Sequence, residues 1–494
     1  MMRSKTCRRT AALLVLSSAM VPATAQADTL REALAAAYEA NPSLEAARAQ
    51  QRATDEDVPI QASRGGIDVS AVANHIEFTK VSPNSFTAPE RRFSAGLDLT
   101  VPIYSGGAVN NGIKAAKERV AAGQADLRGT ESLVFSQVVA AYMDVLRTEA
   151  LAMLAGNQVE VLTINLEATN DRFEIGELTR TDIAQSQSRL ALAQSDFRNA
   201  QANLISARET YIQLIGRAPQ DLQAPPPLPG LPDTVGEAVV TALDNNPDLI
   251  AAKERADAAG YDSEVAGAGR LPTIAGFVNY DYTDFYGTLG GPISANFAQD
   301  ETTANIGVQV TLPIFQGGRP AAQQRQAFAR ETAALENVIA TERSIIAQTR
   351  AAYASWQASR AVIESSEAAV SAAELSLEGV RAENSIGNRT ILDVLNAEQE
   401  LLSARAQLVT ARRNAYVAGF SVLAAMGRAE ARDLNLDTGG VLYDPQVNYD
   451  RVRNKIFDWQ RDPEPEANST RTVDIPAADA MIGPPDESGD VTNY

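Results

Sequence analysis

What this chain has least of narrows its chemistry first. In 494 residues there is one cysteine, Cys7, and one histidine, His75. Cys7 lies in a basic, then apolar start, so a chain trimmed there carries no thiol, no disulfide and no lipid-anchored cysteine. His75 stands on a predicted strand without a carboxylate or thiol cluster at ligand spacing, which argues against a metal site. No Ser/Cys–His arrangement, phosphate-binding loop or dinucleotide fingerprint is present, so nothing points to an enzyme or a bound cofactor. Past the start there is no apolar run of about 18 residues, and a membrane-spanning helix is therefore not expected. A chain of this kind crosses a bilayer only as strands of a closed barrel.

Positive charge is also scarce. Arg3, Lys5, Arg8 and Arg9, the apolar stretch Ala11–Met20 and the small residues Ala25-Gln26-Ala27 read as a secretory signal peptide over residues 1–27. Without it, 39 Lys and Arg face 62 Asp and Glu, a net charge near −23. Such a surface repels phosphate backbones, so nucleic acid is not an expected partner.

What is present is a duplication. Thr29–Arg48 returns at Thr234–Lys253, 205 positions on; Leu97–Gly107 (LDLTVPIYSGG) returns at Val308–Gly318 (VQVTLPIFQGG), 211 positions on. The second offset holds through Ala141-Tyr142 and Ala352-Tyr353, Ile175-Gly176 and Ile386-Gly387, and Gly216 and Gly427. This is a duplicated domain, not a short solenoid repeat. The division it implies is a first repeat at 28–216, a linker at 217–233 with six prolines, a second repeat at 234–427, and an acidic tail at 428–494, expected to be partly disordered.

Each repeat opens with a short helix and an Asn-Pro pair (Asn41-Pro42, Asn246-Pro247) that starts a second helix running to about Gly65 or Gly269. Two strands follow, at about 66–80 and 91–104, then 272–286 and 302–315. Strict alternation of Phe93, Ala95, Leu97, Leu99, Val101 and Ile103, and of Ile306, Val308, Val310 and Leu312, gives one apolar and one wet face. Tyr280, Tyr282, Phe285 and Tyr286 gather at one strand end, as an aromatic girdle would. After Gly106-Gly107 and Gly317-Gly318 come 68-residue helical stretches, Ala108–Ile175 and Arg319–Ile386, about 100 Å long at 1.5 Å per residue. Helices of that length pack as coiled coils. Turns at Gly176 and Gly387 send the chain back through helices ending at Gly216 and Gly427. The Tyr353 and Trp356 stripe reads as helix packing.

Four strands cannot close a membrane barrel, so the chain is expected to oligomerise. A dimer gives eight strands, which fill their own interior, and a trimer gives twelve, which leave a lumen.

The two-repeat layout, the VPIYSGG and LPIFQGG junctions, and the tips Ile175–Asp182 (IGELTRTD) and Ile386–Asp393 (IGNRTILD) together resemble the TolC-like outer-membrane efflux proteins over residues 29–427. The resemblance implies a mainly α fold with membrane β: a homotrimer whose 12-stranded β-barrel sits in outer-membrane lipid and continues as a long α-helical barrel through the periplasm. It implies the exit duct of a tripartite efflux pump or type I secretion system, working with a periplasmic adaptor (membrane fusion) protein and an inner-membrane transporter, ABC or proton-driven. It also implies roles at the periplasmic tips. Asp182 and Arg389 match positions that link neighbouring hairpins in the closed state, and Asp393 matches an acidic ring at the constriction. Asn396 stands where that family has a second acidic residue, and Asn384 where it has a linking tyrosine. Read on residues alone, Thr179-x-x-Asp182 and Thr390-x-x-Asp393 are capping boxes at helix starts, and Arg389 is a turn residue. The rival readings are a periplasmic or surface coiled-coil scaffold and a barrel that inserts without conducting.

Overall fold

The computed structural model describes residues 28–81, 88–436 and 442–482. The leader expected over 1–27 and the end of the acidic tail, 483–494, lie outside the described residues. The first repeat comprises α1 (Leu30–Ala40), α2 (Pro42–Asp55), α3 (Asp57–Ser63), β1 (Asp68–Glu77), β2 (Arg91–Ser105), α4 (Ala108–Glu174) and α5 (Arg180–Ile215). The second comprises α6 (Val235–Asn245), α7 (Pro247–Ala268), β3 (Thr273–Asp284), β4 (Asp300–Thr311), α8 (Arg319–Ser385) and α9 (Ile391–Ala425). A last helix, α10 (Pro445–Val452), lies in the tail.

The two asparagines before proline do two jobs each. Asn41 Oδ1 accepts from Ser43 N at 2.9 Å, which caps α2, while its Nδ2 donates to the Leu214 carbonyl at 2.9 Å near the end of α5. Asn246 repeats this on Asp248 N at 3.0 Å and the Ala425 carbonyl at 3.0 Å. An aspartate would supply the cap and lose the second bond, since a carboxylate only accepts. The single helix expected from Asn41 to Gly65 is two helices, broken at Glu56. Pro59 has no N–H to give the Asp55 carbonyl and its ring crowds that oxygen. The second repeat has Glu264 there, and α7 runs unbroken.

The four strands form one antiparallel sheet in the order β1-β2-β3-β4, leaving β1 and β4 as edges. Register sorts most side chains by face, with Val72 and Phe277 as apolar residues on the polar side. Val69, Leu99, Val278 and Ile306 stand in one row, and Ala71, Leu97, Tyr280 and Ala304 in the next but one, all on the same face. The row between holds Ser70, Asp98, Asn279 and Asn305 on the other face. The apolar face is turned to solvent: Ile306 is 85% exposed. β4, expected to reach 315, stops at Thr311, where its partner β3 begins at Thr273. Residues 312–316 have no strand beside them to bond.

The largest core cluster lies where α1 meets the middle of α4 (Val134–Leu146) and the last turns of α5 (Tyr211, Ile215) and α9 (Phe420, Leu423). Tyr142 is fully buried there and its hydroxyl sits 2.8 Å from the Asp28 carbonyl and 2.7 Å from that of Gln223. Tyr353, its counterpart 211 residues on, donates to the Asp233 carbonyl at 2.8 Å. Each repeat thus pins the residue before its own first helix. Within the tail, expected to be partly disordered, two stretches return to the first repeat: Tyr449 of α10 packs with Val58, Ala116 and Val120, and Arg208 of α5 holds Asp479 at 2.9 Å.

Candidate functional site

The far ends of the two helical hairpins are built alike. α4 ends at Glu174, Ile175 caps it and Gly176 turns left-handed, φ +85°; Gly176 N donates to Phe173 O at 2.9 Å and Glu177 N to Arg172 O at 2.9 Å. Gly387, φ +82°, repeats the turn with Asn388 N on Glu383 O at 2.9 Å. Side chains with a Cβ strain that conformation, so glycine closes each tip.

Each return helix starts on a reciprocal cap. Thr179 N donates to Asp182 Oδ2 at 2.8 Å, and Asp182 N to Thr179 Oγ1 at 3.4 Å. Thr390 and Asp393 repeat it at 2.9 and 3.3 Å. Hydrogen bonds from the Thr390 side chain and backbone hold the Asp393 carboxyl below the usual carboxylate range, and those from the Thr179 backbone and side chain do the same for Asp182. Both aspartates are half-exposed and ionised, with one oxygen committed to the cap. Capping and display of charge coexist in one side chain.

Within the chain Arg389 is engaged by Glu383 of its own hairpin, Nε to Oε2 at 2.7 Å, and not by Asp182. This pairing raises the Arg389 pKa further. Asn384 Nδ2 donates to the Arg389 carbonyl at 2.8 Å, so it braces the tip turn. Asn396 accepts from Arg189 Nη2 at 2.9 Å and so joins α9 to α5.

One residue at this end was missed by sequence reading. Glu398 of α9 is 4% exposed, yet a guanidinium and an amide converge on it. Arg381 of α8 donates to its Oε1 at 3.0 Å, and Asn165 of α4 reaches both oxygens at 3.2 and 3.1 Å. The signal lay in the duplication: the counterparts of Glu398 and Arg381 in the first repeat are Gln187 and Asn170. A charge pair has appeared where the other copy has two amides.

At the opposite end of the long helices, Gly106 and Gly107 have φ +64° and +86°, and Gly317 and Gly318 +63° and +82°. Gly106 and Gly107 turn β2 into α4 within two residues, while Gly317 and Gly318 open α8 after the unpaired residues 312–316. His75 lies at the outer end of β1 with its ring 5.7 Å from that of Tyr286. Among the described residues no group of three His, Cys, Asp or Glu could hold a metal, and no helix is long and apolar enough to cross a membrane.

Comparison with known proteins adds four findings. The family model described as outer membrane efflux protein matches residues 33–217 and 238–428, one match to each repeat. Outer membrane efflux protein BepC of Brucella suis is 31% identical over 457 residues, covering 92% of this chain and 97% of its own. Outer membrane protein TolC of Escherichia coli is 25% identical over 437 residues, 85% of this chain and 87% of its own. Among solved structures, the outer membrane protein VceC of Vibrio cholerae superposes with a TM-score of 0.69 at 23% identity, over 81% of this chain and 96% of its own.

Proposed function

Since the chain belongs to the outer membrane efflux protein family, we propose that three copies close their sheets into one 12-stranded barrel, continued by an α-helical barrel of their hairpins. The protein is an outer-membrane channel that extends into the periplasm and serves as exit duct for efflux or type I secretion. The observation that carries the reading is the sheet: one face apolar and exposed, the other polar, both edges open, and a 67-residue helix leading away from β2 and from beyond β4. The apolar face suits lipid and the polar face a wet lumen.

The duct itself does no chemistry in this reading. Energy comes from an inner-membrane transporter, reached through a periplasmic adaptor. Near the tips, three copies of Asp393 around a threefold axis form an acidic mouth that favours cations. Crowding raises their pKa values against one another, while the caps on Thr390 pull the other way. Asn396 adds no charge to the ring, and its bond to Arg189 makes it a tie between helices instead. Opening parts the hairpins at Asp182, Arg389 and their neighbours.

The test is conductance of the detergent-purified protein in planar bilayers, wild type against Asp393→Ala. Stable, cation-preferring channels whose selectivity weakens in the variant support duct and mouth together. Selectivity indifferent to Asp393 reduces that residue to a helix cap. A folded, inserted trimer that never conducts would refute the channel.

A further inference from the structure

The two repeats meet inside one chain along a seam of α4 against α7 and β2 against β3. We propose that neighbouring subunits meet along a copy of this seam, with Arg330 of one subunit paired to Asp57 of the partner subunit. The proposal rests on the oligomer described above and specifies how its subunits register.

Four side-chain pairs mark the internal seam. Arg119 is ion-paired with Asp262, and Arg255 with Asp126. Lys114 Nζ lies 5.2 Å from the Tyr261 ring centre, and Glu254 faces Glu118, where burial together with this like charge raises the Glu254 pKa. The repeat offsets, 211 from α4 to α8 and 205 from α7 back to α2 and α3, run through these segments without a gap. They carry each pair onto α8 of one subunit and α2–α3 of the next. Arg119 and Asp262 become Arg330 and Asp57, opposite charges kept. Lys114 and Tyr261 become Arg325 and Glu56, again an attraction. Arg255 and Asp126 become Gln50 and Asn337, both sides neutralised together. Glu118 and Glu254 become Ala329 and Ala49, both carboxylates removed together. A surface facing water has no reason to change in such matched pairs. One facing a second copy does, because an unmatched charge there is penalised.

The flank of α8 away from α7 is open. Arg325, Ala329, Arg330 and Asn337 are exposed, and among the described residues neither Arg325, Arg330 nor Asp57 is in an ion pair. Glycine contacts agree. A Cβ on Gly106 would sit 2.9 Å from Leu271 Cβ across the internal seam, whereas its counterpart Gly317 has nothing within 4 Å.

The same offsets set β4 against β1 of the partner, with Val308 opposite the partner's His75 and Leu312 opposite the partner's Ala71. This register puts the apolar faces of both edges on one side; a slip of one residue would not. It also gives residues 312–316, which include Ile314 and Phe315 at 94% and 88% exposed, the strand partner they lack within the chain.

The single cysteine lies in the leader, so thiols can be placed at will. Arg330→Cys with Asp57→Cys in the detergent-purified oligomer, treated with a short bismaleimide, should give a covalent ladder up to the trimer on a denaturing gel. Each single variant should stay monomeric. In a second arm, Arg330→Glu should lower the temperature at which the oligomer dissociates, and adding Asp57→Arg should restore it. A double-cysteine protein that inserts and conducts yet yields only monomer bands, or a charge swap that rescues nothing, overturns the seam and leaves the channel standing. A folded protein that remains monomeric and never conducts overturns both.

Discussion

Glu398→Ala is the substitution from which most can be learned. Asn165 belongs to the first hairpin and Glu398 to the second, so their contact must break if the hairpins part. Arg381 lies on α8, in the same hairpin as Glu398, and travels with it. Only the Asn165 contact therefore counts toward opening. A hydrogen bond to a buried carboxylate is worth roughly 1.5–3 kcal/mol, and we take about 2 kcal/mol per subunit. At 1.4 kcal/mol per decade, its loss shifts the balance between joined and parted hairpins about 30-fold. Arg381 is half exposed, so water takes over its charge when Glu398 is gone and adds little to the figure. The assay is single-channel recording, read as the fraction of time in the larger conductance. Glu398→Gln, which keeps the shape and one acceptor, should fall between wild type and alanine. Unchanged dwell times in a folded, inserted Glu398→Ala oligomer would refute the reasoning.

Arg389→Glu sets a second carboxylate against Glu383 at the tip and should raise leak through the closed channel; an unaltered closed-state conductance counts against a linking role. Tyr142→Phe removes a fully buried hydroxyl from two carbonyls, a loss of about 1–3 kcal/mol that thermal unfolding should register. Tyr353→Phe, at a site open to water, should lower the midpoint much less, and equal losses would contradict the burial argument. Burial pushes the Glu131 carboxyl up to about 7, from an unfolded value of 4.5. The folded form then binds that proton more tightly, so its contribution to stability is full below about pH 4.5 and is lost as pH rises through 7. Glu131→Gln should flatten that slope in a pH series of unfolding midpoints, and an unchanged slope would assign the titration elsewhere.

The long helices, their glycine turns and the alternating strands were legible because each follows from a local rule repeated over many residues. Asp182 and Asp393 were legible as caps for the same reason, and the structure gives their caps atom by atom. Pro59 was in plain sight, but the periodicity on either side of it masked the break at Glu56. The end of β4 could not be read locally, since Leu312–Phe315 has strand character and lacks only a neighbour. Glu398 and α10 stayed hidden for a further reason. Burial of one carboxylate, or docking of Tyr449 on Val58, is a long-range event without a spacing signature. Only comparison of the two copies with each other exposes the first of these.

Equal helix lengths carry a consequence for how such a chain can change. α4 and α8 both have 67 residues, and the six-residue difference between repeats is confined to the loops beyond the strands. The helices therefore behave as matched rulers. Deleting one heptad from α4 alone would raise its tip by about 10 Å and leave its neighbours standing past it. To shorten the tube, the same seven residues must leave the outgoing and returning helix of both hairpins, four deletions in concert. The distance spanned is thus far harder to alter than the shape of the outer rim, where a single loop can grow by itself.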